Sequence, residues 1–364
     1  MKITGVEPFV VALPYEHGGP KPAQAGAQWS TMDTLFVRVE TDGGVVGWGE
    51  AFGFAACPVT AAALTRVVAP ICLGRDPLEI SALMADVQRK VQNMGLNGPF
   101  GFALSGVDIA LWDIKGKVEG KPIYRLLGGK DKSSVPAYAS LLRYGSVDLV
   151  ERNAAAAMAR GYRHIKLHQT TAEAVGAARR ACGAGTPLMV DTNCAWDLDG
   201  AVAAEKALAA YDIAWLEEPI GPPNDVSALA RLRAGATVPI AAGENLGNAI
   251  DAGAMIERRA VDIIQPSVTK IGGITEMVKV IDMARRDGVK IAPHSPYFGP
   301  GLIATIHIIA ALGDGAACER FYCDLGASPL GDAVDAVDGS MRVPQGPGLG
   351  VDLDERVIAK FRLG

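Results

Sequence analysis

"VDTNCAW" (190–196), "AWLEEP" (214–219) and "IAAGEN" (240–245) set Asp191, Glu217 and Glu244 each after a short apolar run. The runs are Leu188–Val190, Ile213–Leu216 and Val238–Ala242, all of β-forming type. Strands that alternate with helices lie parallel in one sheet, so their C-terminal ends open on the same face. Three carboxylates at three neighbouring ends then converge on one point, where like charge is repulsive and raises pKa values. A hard divalent cation removes the difficulty, because Mg²⁺ takes oxygen ligands octahedrally and leaves positions for water or substrate. The pattern therefore predicts an Mg²⁺ site held by Asp191, Glu217 and Glu244.

Working outward, the same strand–helix alternation runs through most of the chain. Candidate strands begin near Val135, His164, Leu188, Ile213, Val238, Asp262, Lys290 and Ala316, at intervals of 24 to 29 residues. Eight strands at that spacing predict an α/β fold closed as a TIM-type barrel rather than an open sheet. Before Gly129 the pattern differs. "ITGVEPFVVAL" and "TLFVRVETDGGVVGWGEA" read as strands, with Asp42-Gly43-Gly44 as a hairpin turn. Residues from Thr60 to Leu127 carry helical periodicity, and Gly128-Gly129 reads as a helix stop. Residues 1–129 are thus expected to form an α+β unit completed by the tail 325–364, with 130–324 as the barrel. Glu16 to Ser30 is rich in Gly, Pro and Ala, and reads either as a surface loop or as a lid over the barrel.

Composition narrows the function classes. Hydrophobic residues make up 49% and charged ones 21%, which excludes disorder. A formal charge of −5 offers no basic field for nucleic acid. No uninterrupted apolar run reaches the length of a membrane span. Six cysteines lie scattered without a CxxC pair, and the opening "MKITGVEPFVVALP" alternates like a strand, so a reduced cytoplasmic setting is expected.

Further titratable residues fall at the other strand ends, where barrel active sites sit. "HIKLHQ" carries Lys166 and His168 two apart, hence on one face of the second strand of the alternation. "IAPHSPYFGPG" places His294 after the seventh and "ACERF" places Glu319 in the eighth. Taken singly, each has an ordinary explanation: an Asp after a strand caps a turn, a strand-end Lys is solvated, a His is a structural hydrogen-bonder. Together they form a site able to bind a small carboxylate and move protons.

At this point the chain resembles the enolase superfamily, in particular the mandelate racemase/muconate lactonizing enzyme family. The resemblance rests on "GWGEA", "ALSGVDIALWDIKGK", "IKLH", "VDTN", "LEEP", "AAGEN", "QPSVTKIGG", "APHS" and "CERF", in that order. It implies a (β/α)7β barrel under an N-terminal α+β capping domain, Mg²⁺ on the acids matching Asp191, Glu217 and Glu244, and a dimer or octamer. It also implies removal of the proton α to a carboxylate, giving an enediolate. This superfamily serves as a standard example of a Lys or His base working with Mg²⁺. Two departures stand out. The family pattern Lys-x-Lys is Lys166-x-His168 here, and the Asp that partners the seventh-strand His is Ser267. Lys270 lies three residues beyond Ser267, outside the slot that muconate-type enzymes use for their Lys.

These readings combine into an Mg²⁺-dependent acid-sugar dehydratase. Lys166 neutralises the enediolate, His168 is the base, His294 the acid, and Glu319 a partner for the enolic oxygen. Asn193, Ser267, Tyr138 and Tyr297 are expected to touch substrate. A racemase, epimerase or cycloisomerase of the same superfamily is the alternative. A metal-free aldolase using Lys166 as a Schiff-base nucleophile and a non-catalytic barrel are more distant ones.

Overall fold

The computed structural model describes residues 1–24 and 27–364. Three antiparallel strands open the chain: β1 (Ile3–Glu16), β2 (Thr31–Thr41) and β3 (Val46–Ala51). The Asp42-Gly43-Gly44 hairpin turn forms as expected, with Gly44 at φ 76° and its N–H bonded to the Thr41 carbonyl at 3.0 Å. Helix α2 (Pro99–Glu119) packs against this sheet, and α1 (Ile80–Val91) packs against α2. Contact is close because Gly47 and Gly49 have no Cβ. A Cβ at Gly49 would collide with the Gly106 carbonyl of α2. The end of β3 is stitched to the second unit, with Phe52 N–H donating to the Thr269 carbonyl at 3.1 Å and Gly301 N–H donating to Glu50 Oε2 at 2.8 Å.

The barrel follows the predicted alternation. Its strands are β4 (Ser134–Leu141), β5 (Ile165–His168), β6 (Leu188–Asp191), β7 (Trp215–Glu217), β8 (Ile240–Ala242), β9 (Ile263–Ile264), β10 (Lys290–Ile291) and β11 (Cys318–Phe321). Helices α3 (Val147–Ala159), α4 (Ala172–Cys182), α5 (Leu198–Ala209), α6 (Val226–Gly235), α7 (Ala249–Glu257), α8 (Ile274–Arg286) and α9 (Pro300–Leu312) fill the gaps. Parallel pairing runs in chain order from β4 to β10, and β11 returns beside β4 with Glu319 opposite Tyr138. That is a (β/α)7β barrel. Register aligns His168 with Asp191 and Asp191 with Glu217, so three chemistry-bearing residues stand at one level of the sheet.

The tail meets both units, and one helical stretch of the first unit is strongly apolar. The tail was expected to complete the first unit. Asp324–Leu325 (β12) does pair with β1, and Leu363 N–H bonds to the Val10 carbonyl at 2.9 Å. Ser340–Arg342 (β13), however, pairs antiparallel with residues 134–136 of β4. Those residues precede the region where β11 and β5 flank β4, and β13 covers what would be an open edge. In addition, the helical stretch Phe54–Cys72 spans 19 residues and is apolar enough by composition to cross a bilayer. Here it buries Cys57, Thr60, Leu64, Val68 and Cys72 in the core of the first unit.

His307 sits fully buried on α9, stacked on Tyr124 and bonded through Nε2 to the Leu349 carbonyl at 3.0 Å. Burial pulls its pKa from 6.5 down to about 4, against the help of that carbonyl. Between those two values the unfolded chain binds the proton and the folded one does not, so stability falls as pH drops. Unfolding curves between pH 7 and 4 should show this loss, at most about 3 kcal/mol. His307→Gln should flatten the slope. An unchanged slope would place the acid sensitivity elsewhere.

Candidate active site

Lys166 leaves β5 toward the barrel interior and is fully buried. Its ammonium lies 2.6 Å from Glu217 Oε1, 2.8 Å from Glu319 Oε1 and 3.2 Å from Asp191 Oδ2. Glu217 is further fixed by the Trp215 indole N–H at 2.8 Å, and Asp191 Oδ1 accepts from the Asn193 backbone and side-chain amides at 2.9 and 3.0 Å. Glu244 lies beyond β8, after Gly243 at φ 125°, and reaches the cluster from the loop. Glu218 follows the end of β7 at φ 44° and turns to other partners. Its carboxylate accepts from Gly243 N–H at 3.0 Å and from the Cys194 thiol at 3.2 Å.

One ammonium is too little for these acids. Burial pushes Glu217 well above its ordinary pKa, and Lys166 offsets this only in part because Asp191, Glu319 and Glu244 push the same way. Lys166 is raised as well: burial lowers it, but Glu217, Glu319 and Asp191 overcome this and lift it far above its usual value. Asp191 is held low, since Lys166 and His168 overcome its burial. Glu244 is likewise held low, by His294 and Lys270 against burial. Ligand oxygens of Asp191, Glu217 and Glu244 lie within 4.8 Å of one another, close to what ligands about 2.0–2.1 Å from one ion require. An all-carboxylate donor set with surplus negative charge suits a hard cation, so the residues fit Mg²⁺.

Two histidines face each other across the site. His168 Nδ1 is 2.7 Å from the Leu141 carbonyl and its Nε2 is 3.2 Å from Asp191 Oδ2. Both partners only accept, so the ring can donate to either, and the shorter contact to the Leu141 carbonyl favours hydrogen on Nδ1. His294 Nε2 is 3.1 Å from Glu244 Oε2, and its Nδ1 is 3.3 Å from the Ser267 hydroxyl and 3.4 Å from the Tyr297 hydroxyl.

Above this cluster opens a cavity of about 610 Å³ lined by His168, Asn193, Glu244, Lys270, His294 and Glu319, with Arg143 and Lys21 at its wall. Trp29, Phe52, Phe54 and Phe321 supply an aromatic side. The Glu16–Ser30 stretch borders it through Pro20, Lys21, Pro22 and Trp29, whereas Ala25 and Gly26 lie outside the described residues. Of the four expected substrate contacts, Asn193 lines the cavity. Tyr138 does not: it is buried, paired in register with Glu319 and edge-on to Trp215, and it lines a second cavity with Met189, Trp215 and Ile291. Ser267 and Tyr297 are also corrected, since both are buried behind His294 rather than open to the cavity. Lys270 is the residue the sequence reading set aside. Its N–H bonds to the Ser267 carbonyl at 2.9 Å, and this turn carries the ammonium to 3.6 Å from Glu244, 3.1 Å from Asn245 Oδ1 and 4.3 Å from the Phe52 ring centre. The three-residue spacing from Ser267 was the available signal.

A (β/α)7β barrel with acids, a buried lysine and two histidines at its carboxyl ends defines the class of metal-assisted barrel enzymes that ionise carbon acids. Residues 149–357 match the enolase C-terminal domain-like family, and residues 18–128 match the N-terminal domain of mandelate racemase/muconate lactonizing enzyme. The chain belongs to this family of the enolase superfamily, whose cofactor is Mg²⁺. It is 32% identical over 383 residues to D-galactarolactone cycloisomerase of Agrobacterium fabrum, covering 100% of this chain and 99% of that one. Against D-gluconate dehydratase of Thermoproteus tenax it is 31% identical, covering 99% and 74%. L-Talarate dehydratase of Polaromonas sp. JS666, solved with Mg and L-glucarate, superposes at TM-score 0.84 with 30% identity, covering 100% and 98%.

Removing the ammonium tests the charge argument. Lys166→Met leaves Asp191, Glu217 and Glu319 buried without their shared cation, a change that costs about 3–5 kcal/mol for a buried pair. Urea unfolding in EDTA should show a loss of that order. A stability equal to that of the parent would mean the acids are compensated by other groups.

Proposed function

We propose that this protein is an Mg²⁺-dependent dehydratase of an acid sugar, removing the proton at C2 and the hydroxyl at C3. The observation that supports it most directly is the unlike environment of two facing histidines, one with a carbonyl at Nδ1 and one with hydroxyls. Asp191, Glu217 and Glu244 would hold the metal. When bound, Mg²⁺ supplies Lewis-acid stabilisation of the substrate carboxylate as it gains negative charge. Lys166 would add its ammonium to that stabilisation from within hydrogen-bond reach of the same acids.

His168 would take the C2 proton on Nε2, its ring held by the Leu141 carbonyl. The C–H electron pair then forms the C2–C3 double bond, and the C3–O bond breaks. His294 would give its Nε2 proton to the departing hydroxyl, which leaves as water, and the resulting enol becomes a 2-keto-3-deoxy acid. Glu319 would serve the enolic oxygen as an acceptor. Lys166 and His294 overcome its burial and hold it ionised, with Oε2 accepting from Ser295 N–H at 2.9 Å, so its carboxylate anchors Lys166 and meets an enolic oxygen only as acceptor. Lys270, Arg143 and the aromatic side would shape substrate choice.

A second reading, a cycloisomerase, is favoured by the full-length likeness to D-galactarolactone cycloisomerase. The two part at the product. Acid sugars incubated in D₂O with Mg²⁺ should yield a 2-keto-3-deoxy acid from one C2 epimer, seen by proton NMR. Lactone or ring opening without a keto acid would favour the cycloisomerase, and epimer interconversion would favour the racemase.

The base assignment has its own test. His168→Asn should lower C2 exchange by about 10²–10⁴-fold, the usual worth of a general base. Exchange at the parent rate in that variant would move the base to another residue. EDTA should abolish turnover of the parent protein, and full activity without metal would overturn the reading.

A further inference from the structure

Barrel helix α8 begins without a cap of its own. Its N-cap position is Gly273, at φ 89° and with no side chain to offer, yet its first turn is buried and its amides need acceptors. The acceptor comes from the first unit. We propose that Asp108 of α2 caps α8 across the two units and is thereby a positioning residue for Lys270, setting where its ammonium meets substrate in the cavity. The kinetic part of this rests on the acid-sugar reading, whereas the placement of the loop does not.

Ser105, Asp108 and Trp112 lie at i, i+3 and i+7, on one face of α2. Asp108 Oδ1 accepts from the Thr275 backbone amide at 3.0 Å, and its Oδ2 accepts from the Thr275 hydroxyl. That hydroxyl in turn accepts from the Trp112 indole N–H at 3.0 Å. Nearby, the Ser105 hydroxyl gives its hydrogen to the Gly101 carbonyl at 2.8 Å, which leaves its oxygen to accept from Gly272 N–H at 2.8 Å. Every donor in the group thus has an acceptor. A Cβ at Gly273 would strike Asp108, so a residue bringing its own cap does not fit there. Asp108 is fully buried, and no cation pairs with it among the described residues. Burial pushes its carboxyl up to about 7, against the pull of Thr275 and the Ile274 amide. Such an acid is costly to bury, and what it secures is the start of α8.

The segment 269–275 hangs from the first unit on both sides of Lys270. Before it, Phe52 N–H bonds to the Thr269 carbonyl at 3.1 Å, and after it come the bonds to Ser105 and Asp108. On the barrel side, the amides of Lys270 and Ile271 turn onto the Ser267 carbonyl at 2.9 and 3.0 Å. The ammonium then rests 4.3 Å from the Phe52 ring centre and 3.1 Å from Asn245 Oδ1, at the cavity wall. His294 is held differently. Its loop also meets the first unit, through Gly301 N–H on Glu50, but the strand end itself is fixed inside the barrel. There His294 N–H bonds to the Pro266 carbonyl at 3.2 Å and Ser295 N–H to Glu319 at 2.9 Å. Releasing Asp108 therefore frees Lys270 and spares the histidine.

Amide hydrogen exchange of the magnesium-loaded protein, followed by mass spectrometry, reads the loop without substrate. Asp108→Asn should speed exchange in 268–277 by about tenfold or more, as expected when a buried acceptor is replaced by a donor, and leave 292–298 at the parent rate. Trp112→Phe, which removes a single N–H from the group, should give a smaller rise in the same segment and serves if Asp108→Asn does not fold. Glu50→Gln, which weakens the start of α9 instead, should loosen 299–303 and leave 268–277 protected. Unchanged exchange in 268–277 of the Asp108 and Trp112 variants would overturn the proposal, as would an equal rise there in Glu50→Gln. With an acid sugar that the parent dehydrates, Lys270→Met should raise KM about tenfold or more, and Asp108→Asn about three- to tenfold. The double variant should rise no further than Lys270→Met alone. Rises that multiply in the double variant would mean that Asp108 acts apart from Lys270, and would reject the positioning role. If the parent turns over no acid sugar, the dehydratase reading fails while the exchange measurement still decides whether Asp108 holds the loop.

Discussion

Everything at the mouth of this barrel depends on an excess of buried negative charge. Asp191, Glu217 and Glu319 share one ammonium, that of Lys166, and Glu244 stands beside them. Glu217 is driven well above its ordinary pKa while Lys166 is held charged, which is the mark of a cluster short of positive charge. Such a cluster is costly to fold unless a cation joins it. The fold accepts that cost because a barrel can bring acids from strands β6 and β7, and from the loop after β8, to one level without committing them to the core. The same surplus makes the site a receptor for Mg²⁺ and, through Lys166, for an anionic substrate.

Much of this was legible in the sequence, and the reason is periodicity. Strand–helix alternation at near-constant spacing identifies the barrel, and it fixes which end each acid occupies. A residue directly after a strand has its position set by the register, so Lys166, His168, Asp191 and Glu217 were found by counting. The GWGEA glycines carry another kind of information: Gly47 and Gly49 mark where the sheet of the first unit meets α2.

What counting missed lies where the chain leaves the strand. Lys270 reaches the cavity through a turn closed by its bond to the Ser267 carbonyl, and no strand rule reports that. Tyr138 was expected near substrate because it lies on a barrel strand, yet it packs edge-on to Trp215 and lines a different cavity. Tyr297 and Ser267 were expected in the cavity, but the loops after β10 and β9 fold them behind His294. Aromatic residues of the first unit, Phe52 and Phe54, line the cavity because Phe52 is tied to Thr269 across the two units. The tail resisted for a similar reason. Its β13 pairs with β4 to cover an edge, a choice made by the barrel rather than by the tail's own composition.

The account stands or falls on where a cation binds. A crystal structure of the protein grown with Mn²⁺ in place of Mg²⁺, with anomalous data collected at the manganese edge, locates the ion directly. The account predicts one ion held by Asp191, Glu217 and Glu244 together, with Lys166 still against Glu319. An ion bound by Glu218 instead of Glu217, or no ion among these three carboxylates, would contradict it.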